Sequence, residues 1–468
     1  MEDLAGFALG LCGEAEYAEV RSEIHKEESF VMKNGTAEVG SFGETEGIGI
    51  RVLVDGSIGF FSTNILDKSH IKLMVAKAIK MARAAKKLNT HKIEFSKESI
   101  CLANIRVKPK KDAFSWSPDE KLRFLSDVDK SLTALPFKVP ARQLSIENSH
   151  LEKTYMNTEG SRIQLSLPRI GFFWFITVQE KGDVRQRYML YNETRGLEAL
   201  KKWNLTESVA GDARALHTNI TKGIRCPSGE MDVIAGPEVV GIAVHESTGH
   251  PYEADRIMGR EAAQAGESFV TREMLNSRIG SDAVSVIEDP TIEHTAGFYL
   301  YDDEGVKARK RMLIKKGMIN EFLHNRETAS MLGLKSNGAA RSVSYEREPI
   351  VRMANTYIDK GDWTKDEIIS DTKNGIYLKN FMEWNIDDTR FNQKYVGAES
   401  YIIKNGEICE PVINPVIELT TPTFYRAIDA CAKDMELFAG TCGKGEPMQA
   451  IPVTMGGPTI RLRGLRIR

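Results

Sequence analysis

The chain has 468 residues, enough for two or three domains with cores of their own, so neither metal nor disulfide is needed as a staple. Lys plus Arg number 63 against 65 for Asp plus Glu, a formal net charge of -2 that provides no global field to draw in nucleic acid or anionic lipid. The six cysteines are scattered with no Cys-x-x-Cys pair, Glu2 and Asp3 stand where a signal peptide needs basic residues, and the longest apolar stretch, near 231–244, holds Pro237 and is shorter than the ~18 residues of a membrane span, so a cytoplasmic protein with no membrane or nucleic-acid partner is expected.

From Phe30 to Thr63, short β runs are separated by Asn34-Gly35 and Asp55-Gly56, pairs that accept the positive φ of type I′ turns, which predicts a meander of hairpins. Residues 70–88 read as a helix covering that sheet, its apolar face assigned to Leu73, Ala76, Ile79, Met81 and Ala82. Ser117-Pro118 with Glu120 carries an N-cap, a proline at the first helical position and a reciprocal capping residue, so a second helix starts there. Strands return from 142 to 192, with turns at Glu159-Gly160 and Lys181-Gly182, and a helical segment near 195–222 closes this α+β half.

After Cys226-Pro227-Ser228-Gly229 the pattern changes. MDVIA reads as a strand and Gly236-Pro237 as a helix start; VVGIAV is apolar almost all round, the mark of a buried helix, and it runs into His245 and Glu246. Further on, AGFYLYDDEG, RMLIKKGMINEFLHN, RMANTYIDKGD, NGIYLKNFMEW, AESYIIKNGEI and TIRLRGLRIR read as strands broken by Gly, Asn and Asp. The expected fold is α+β with two domains. Residues 1–225 form an antiparallel or mixed sheet with covering helices, and residues 226–468 a β-rich, barrel-like domain around one buried metal-binding helix.

The stretch HESTGH, residues 245–250, holds the residue types of a zinc hydrolase at an unusual spacing. Positions i and i+4 of a helix differ by about 40° in azimuth, whereas i and i+5 differ by about 140° and point apart. Gly249 before His250 and Pro251 after it allow the helix to break or to carry a π-type bulge there, bringing both imidazoles to one ion. Glu246 is then placed as general base for a metal-acidified water. A catalytic zinc needs a third ligand. Cys442, between Gly440 and Gly443, is the best candidate, with His294, His324 and Glu253 possible on chemistry alone.

Three weaker features have plain structural explanations. Tyr301-Asp302-Asp303-Glu304-Gly305 lacks the spacing of a calcium loop and reads as a turn with solvated acids. Arg461, Arg463, Arg466 and Arg468 read as the wet face of a terminal strand. Arg341, Arg347 and Arg352 are expected in ion pairs rather than as a substrate clamp. Cys101, Cys226 and Cys431 are expected as small buried hydrophobes.

The segments GIAVHESTGHPYEAD, YDDEGVKARKRMLIKKGMINEFLHNRETA, NGAARSVSYEREPIVRMANTYIDKGD, NGIYLKN, ESYIIKNGEI and GTCGKGEPMQAIPVTMGGPTIRL, with AEYAEVR and EGIGIRVLVDGSIGFFST in the first half, resemble the TldD/PmbA family of metallopeptidases, and within it the TldD-type subunit. The resemblance implies one zinc per chain, bound by His245, His250 and Cys442, with Glu246 activating water. It also implies short or unfolded peptide substrates and an enclosed dimer chamber, formed by two copies or with a PmbA-like chain that lacks the motif. Residues 382–397, MEWNIDDTRFNQKYVG, depart from the family's glycine-rich pattern and bear on substrate preference. The competing expectation is a non-catalytic peptide-binding or partner-stabilising subunit whose zinc is structural, with four protein ligands.

Overall fold

The computed structural model describes residues 1–468 apart from 90, 262–265 and 468. The first half is built on one sheet of long strands: β1 (Tyr17–Lys33), β2 (Thr36–Val54), β3 (Ser57–Thr63), β4 (Leu102–Arg106), β5 (Lys138–Asn157), β6 (Arg162–Glu180) and β7 (Asp183–Glu193). Their order is β3-β2-β1-β5-β6, with β4 and β7 both pairing with β6; every pair is antiparallel except β4 with β6. The hairpin turns fall where their residues permit, with Asn34 and Gly35 at φ 49° and 81°, Asp55 and Gly56 at 53° and 71°, and Lys181 and Gly182 at 50° and 89°.

Helices cover one face of this sheet: α1 (Glu2–Gly10), α2 (Lys68–Ala85), α3 (Pro118–Thr133), α4 (Glu198–Trp203) and α5 (Leu205–Lys222). The start of α3 is the expected capping box, Ser117 and Glu120 satisfying each other's backbone N–H. The inward face of α2 differs from expectation. It carries Ile71, Met74, Val75, Ala78, Ile79 and Ala82, while Leu73 and Met81 are about half exposed and Ala76 faces solvent. The apolar stripe is wide enough to admit two phases, and contact with β2 and β3 selects the one that places small Ala78 and Ala82 against the sheet.

The second half is β-rich. A six-stranded sheet has the order Met318–Ile319, Arg311–Lys315, Val286–Glu288, Asn355–Ile358, Gln449–Gly457, Glu436–Lys444, and a larger sheet includes Gly229–Ala235, Asn374–Leu378 and Ile460–Ile467. Both sheets are curled into half-barrels. Between them lies α6 (Pro237–Val244), whose Val239, Val240, Ile242, Ala243 and Val244 share one core with Ala235 and Leu378 of the larger sheet and Val286 and Val453 of the smaller. A helix apolar on all sides has no solvent face to offer, so its burial was legible from composition. Among the described residues, no helix is long and apolar enough to cross a membrane.

Residues 296–305 are not the expected strand; a single bridge joins Tyr301 to Lys307, and the rest is turn and loop. Nor are the acids solvated. Asp302, Asp303 and Glu304 are buried, because they join the two halves: Glu304 Oε1 accepts from Arg51 at 2.7 Å, Lys153 pairs with Asp303, and Tyr155 Oη donates to the Glu304 carbonyl at 2.7 Å. Beside them Tyr345 packs on β2, where a Cβ at Gly49 would stand 2.3 Å from the Tyr345 carbonyl oxygen. Of the terminal arginines, Arg461 is buried and held by Asp371 and Asp429, while Arg463 and Arg466 are exposed; Arg468 lies outside the described residues. Arg341 and Arg352 bind backbone carbonyls rather than carboxylates: Arg341 those of Met353 and Pro452, Arg352 those of Gln449 and Cys442. Arg347 takes part through its own carbonyl, which accepts from Arg21. Of Cys101, Cys226 and Cys431, Cys431 alone is buried.

Candidate metal centre

The motif begins at the end of α6. Residues His245–Gly249 form a turn of π-helix, and the His250 N–H donates to the His245 carbonyl at 3.2 Å, the i to i+5 bond of a widened turn. That extra residue per turn brings the two rings together, their centroids 5.1 Å apart and their planes at 86°. Gly249 is required by close approach: a Cβ there would stand 2.4 Å from Met353 Sδ. The Tyr425 hydroxyl, 2.7 Å from Ser247 Oγ and also bonded to Thr248 Oγ1, fixes the outer side of the turn.

Cys442 arrives from the other end of the sequence on the strand Glu436–Lys444, the outermost strand of the six-stranded sheet. Its Sγ lies 3.3 Å from His250 Nε2, and one donor atom each from His245, His250 and Cys442 lie within 4.8 Å of one another, all buried. Burial would raise the thiol pKa, but His250 and then Arg352 outweigh it and bring it down to about 7, favouring the thiolate form that a metal takes. Burial lowers the pKa of both imidazoles, which favours the neutral, ligating form. His245 Nδ1 is a buried ring nitrogen with no hydrogen-bond partner among the described residues. Two imidazoles that burial favours in the neutral form, one with an unpartnered ring nitrogen, and a thiolate-prone cysteine fit a zinc ion by donor chemistry.

Glu253, one of the open choices for third ligand, stands behind the donor cluster. Its Oε2 lies 3.2 Å from His250 Nδ1, a carboxylate–histidine pair that fixes the ring with Nε2 facing Cys442, as carboxylates standing behind metal-ligating histidines do. Burial alone would raise the Glu253 pKa; Lys444 and His250 hold it well below the carboxylate range. Lys444 is itself buried, with Nζ 3.1 Å from Glu253, 2.7 Å from Asp255, 3.2 Å from Glu261 and 2.7 Å from the Val351 carbonyl. It sits two residues after Cys442, on the same face of the strand. His294 and His324 lie outside the cluster, His294 beside the Thr194 carbonyl and His324 beside Thr328.

Glu246 and both histidines line a cavity of about 560 Å³, walled by Phe173, Tyr188, Phe381, Trp384 and Phe438. Glu246 Oε1 is 4.0 Å from His245 Nε2, and its Oε2 accepts from Arg390 Nη1 at 2.7 Å. Sequence reasoning did not single out Arg390 or Lys444. The only signal for Arg390 was the departure of residues 382–397 from the family pattern.

An α+β fold that gathers two histidines, a cysteine and a glutamate at the head of one cavity suits metal-assisted hydrolysis. Comparison with known proteins agrees. Residues 228–468 match the PmbA/TldA metallopeptidase C-terminal domain and residues 18–82 match PmbA/TldA metallopeptidase domain 1. A metalloprotease of Methanocaldococcus jannaschii is 31% identical over 95% of this chain and 96% of that protein. A zinc metalloprotease TldD homolog of Saccharolobus solfataricus is 28% identical over 91% of each. The crystal structure of TldE from Thermococcus kodakarensis superposes with a TM-score of 0.77 at 16% identity, covering 100% of this chain and 99% of that one, and so shows the same fold. The chain belongs to the TldD/PmbA family of metalloproteases.

Proposed function

We propose that this chain is a TldD-type zinc metallopeptidase with a single zinc held by His245, His250 and Cys442, and Glu246 as its general base. The observation that carries this reading is the convergence of those three donors beside Glu246 at a cavity. Three protein ligands leave one coordination position for water or substrate, which a structural site does not. A bound zinc would supply Lewis acidity to the water and to the scissile carbonyl. Glu246 takes the proton released as water attacks the peptide carbonyl, and returns it to the leaving amine. Glu253 keeps His250 in the tautomer whose Nε2 faces Cys442, and the buried walls keep bulk water from the reacting atoms.

The substrate is a short or unfolded peptide that lies extended along the outer edge of the cysteine strand. Main-chain hydrogen bonds to that edge would give affinity with little sequence preference. Its support is that this strand is outermost in its sheet and lines the cavity through Phe438–Gly443. We assign residues 1–225 and 226–468 as the two domains, each centred on its own sheets. The working unit is a cytoplasmic dimer enclosing the cavity, of two copies or with a PmbA-like chain; the TldD-type relative and the TldE fold of one neighbour fit a PmbA-like partner.

The test is Glu246→Gln beside Cys442→Ala. Metal content by mass spectrometry should show zinc retained in the first and lost or greatly weakened in the second, with peptide turnover abolished in both. Turnover by Glu246→Gln at the wild-type rate would sink the assignment of the base and return the site to a structural role.

A further inference from the structure

The strands Phe381–Ile386 and Asn392–Gly397 form a hairpin whose connecting loop is closed by Asp387. The Asp387 carboxylate accepts from the Phe391 N–H at 2.7 Å, the Asn392 N–H at 3.0 Å and the Asn392 side-chain amide at 2.7 Å. The Arg390 N–H donates to the Asp387 carbonyl at 3.0 Å, and the Arg390 carbonyl accepts from Thr421 Oγ1 at 2.7 Å. Held at both ends, Arg390 adopts φ 67°, in the left-handed region that side-chain-bearing residues rarely enter. Such conformations persist where surrounding structure over-determines them, and they cluster at ligand clamps.

The result is a guanidinium inside the cavity. One amino group meets Glu246, while the Arg390 Nε–H is buried with no acceptor among the described residues. An arginine fork matches a carboxylate with two parallel hydrogen bonds, so a second anion is the group that would complete it. Position selects which anion. The base sits one hydrogen bond from the attacked carbonyl's water, and Arg390 one hydrogen bond further. Successive residues of an extended chain are about 3.3–3.6 Å apart, so a carboxylate on the residue just past the cleaved bond falls within reach and later ones lie beyond it. Phe381, Trp384 and Phe438 line the same cavity as Arg390 and offer an apolar wall for that residue's side chain.

We propose that Arg390 binds the C-terminal carboxylate of a peptide ending one residue past the scissile bond, so that the protein acts as a carboxypeptidase releasing apolar C-terminal residues. The proposal rests on Glu246 and its neighbours being the peptidase centre. Arg390 is a specificity residue that touches the substrate and takes no part in proton transfer.

The test compares one acetylated tetrapeptide ending in Ala-Phe, as free acid and as C-terminal amide, on zinc-loaded protein. The free acid should lose phenylalanine, seen by mass spectrometry, with KM lower than the amide's by about ten- to a hundred-fold, the range for a partly buried charged hydrogen bond. Arg390→Met should erase that acid-to-amide ratio and Arg390→Lys should keep part of it, with thermal melts confirming that both variants fold. On metal-free protein, calorimetry should show the same preference for the acid, lost in Arg390→Met. Equal KM values with cleavage at internal bonds would overturn the proposal and leave the peptidase reading standing. A fall in kcat shared by acid and amide in Arg390→Met, their ratio unchanged, would make Arg390 a positioning residue for Glu246 and also overturn it. Preferential binding of the acid with no turnover of either peptide would instead count against the peptidase reading while supporting Arg390 as a carboxylate site.

Discussion

Lys444 is surrounded by Glu253, Asp255 and Glu261 in a region shut off from water. Removing one partner from a buried charge cluster leaves the others uncompensated, at a cost of about 3–5 kcal/mol. Lys444→Met should therefore lower the urea midpoint substantially, and by loosening Glu253 it should weaken zinc affinity about 10–100-fold in a competition titration. Cys442→Ser, which leaves Lys444 in place, should affect metal far more than fold. His324 gives a separate pH handle. Burial lowers its pKa from the ordinary value to about 4, so in the folded state it stays neutral while the unfolded chain takes up a proton below about 6.5. Its contribution to stability is complete above pH 6.5, falls as pH drops from about 6.5 to 4, and is constant below that. The loss is about 3 kcal/mol at most. Urea unfolding at pH 7 and pH 5 should show this slope in the wild type and a flatter one in His324→Gln.

At the scale of elements, the motif helix was the most legible part of the chain. VVGIAV announced burial, and the five-residue spacing of the histidines with Gly249 and Pro251 announced an interruption, which is the π turn His245–Gly249. Gly249→Ala should push Met353 aside or displace His250, destabilising the fold by about 1–3 kcal/mol. A thermal melt and zinc titration would show both effects, and an unchanged zinc affinity would mean that Met353 absorbs the whole displacement. The strand expected at 296–305 failed for the opposite reason. Its run of apolar and aromatic residues reads as a strand, but Asp302 binds the N–H groups of Glu304 and Val306 nearby and of Ala340 further along, so side-chain hydrogen bonds replace a ladder. The second phase of α2 was likewise invisible until a sheet was there to choose between Leu73 and Met74.

Across the whole molecule, what escaped the sequence is what depends on distant contacts. Arg390 meets Glu246 across 144 positions and Lys444 meets Asp255 across 189, and no periodicity reports such a meeting. For the proposed third ligand, the flanking glycines made Cys442 the best of four candidates, and the family resemblance then implied it. The junction of the halves was missed similarly, because Glu304 and Asp303 look like solvated acids until Arg51 and Lys153 are seen opposite them. Arg51→Met should leave Glu19 and Glu304 unpaired in the interior, costing about 3–5 kcal/mol. Calorimetry should then show the single unfolding transition broaden or split as the halves uncouple. A Cβ at Gly49 meets backbone rather than a yielding side chain, so Gly49→Val should have the same effect.

The outermost strand that carries Cys442 is pinned by Arg352 at its backbone and by Lys444 at its next inward side chain, both independent of any ion. Cys442 is 192 residues from His250, so the cluster joins the two ends of the second half. On the proposed reading, this strand is held in place without the metal, so zinc would be captured by a site the fold has already formed. If zinc serves this site as proposed, a cell short of zinc would accumulate intact but idle protein, and its active fraction would track metal supply without any change in the amount of chain made.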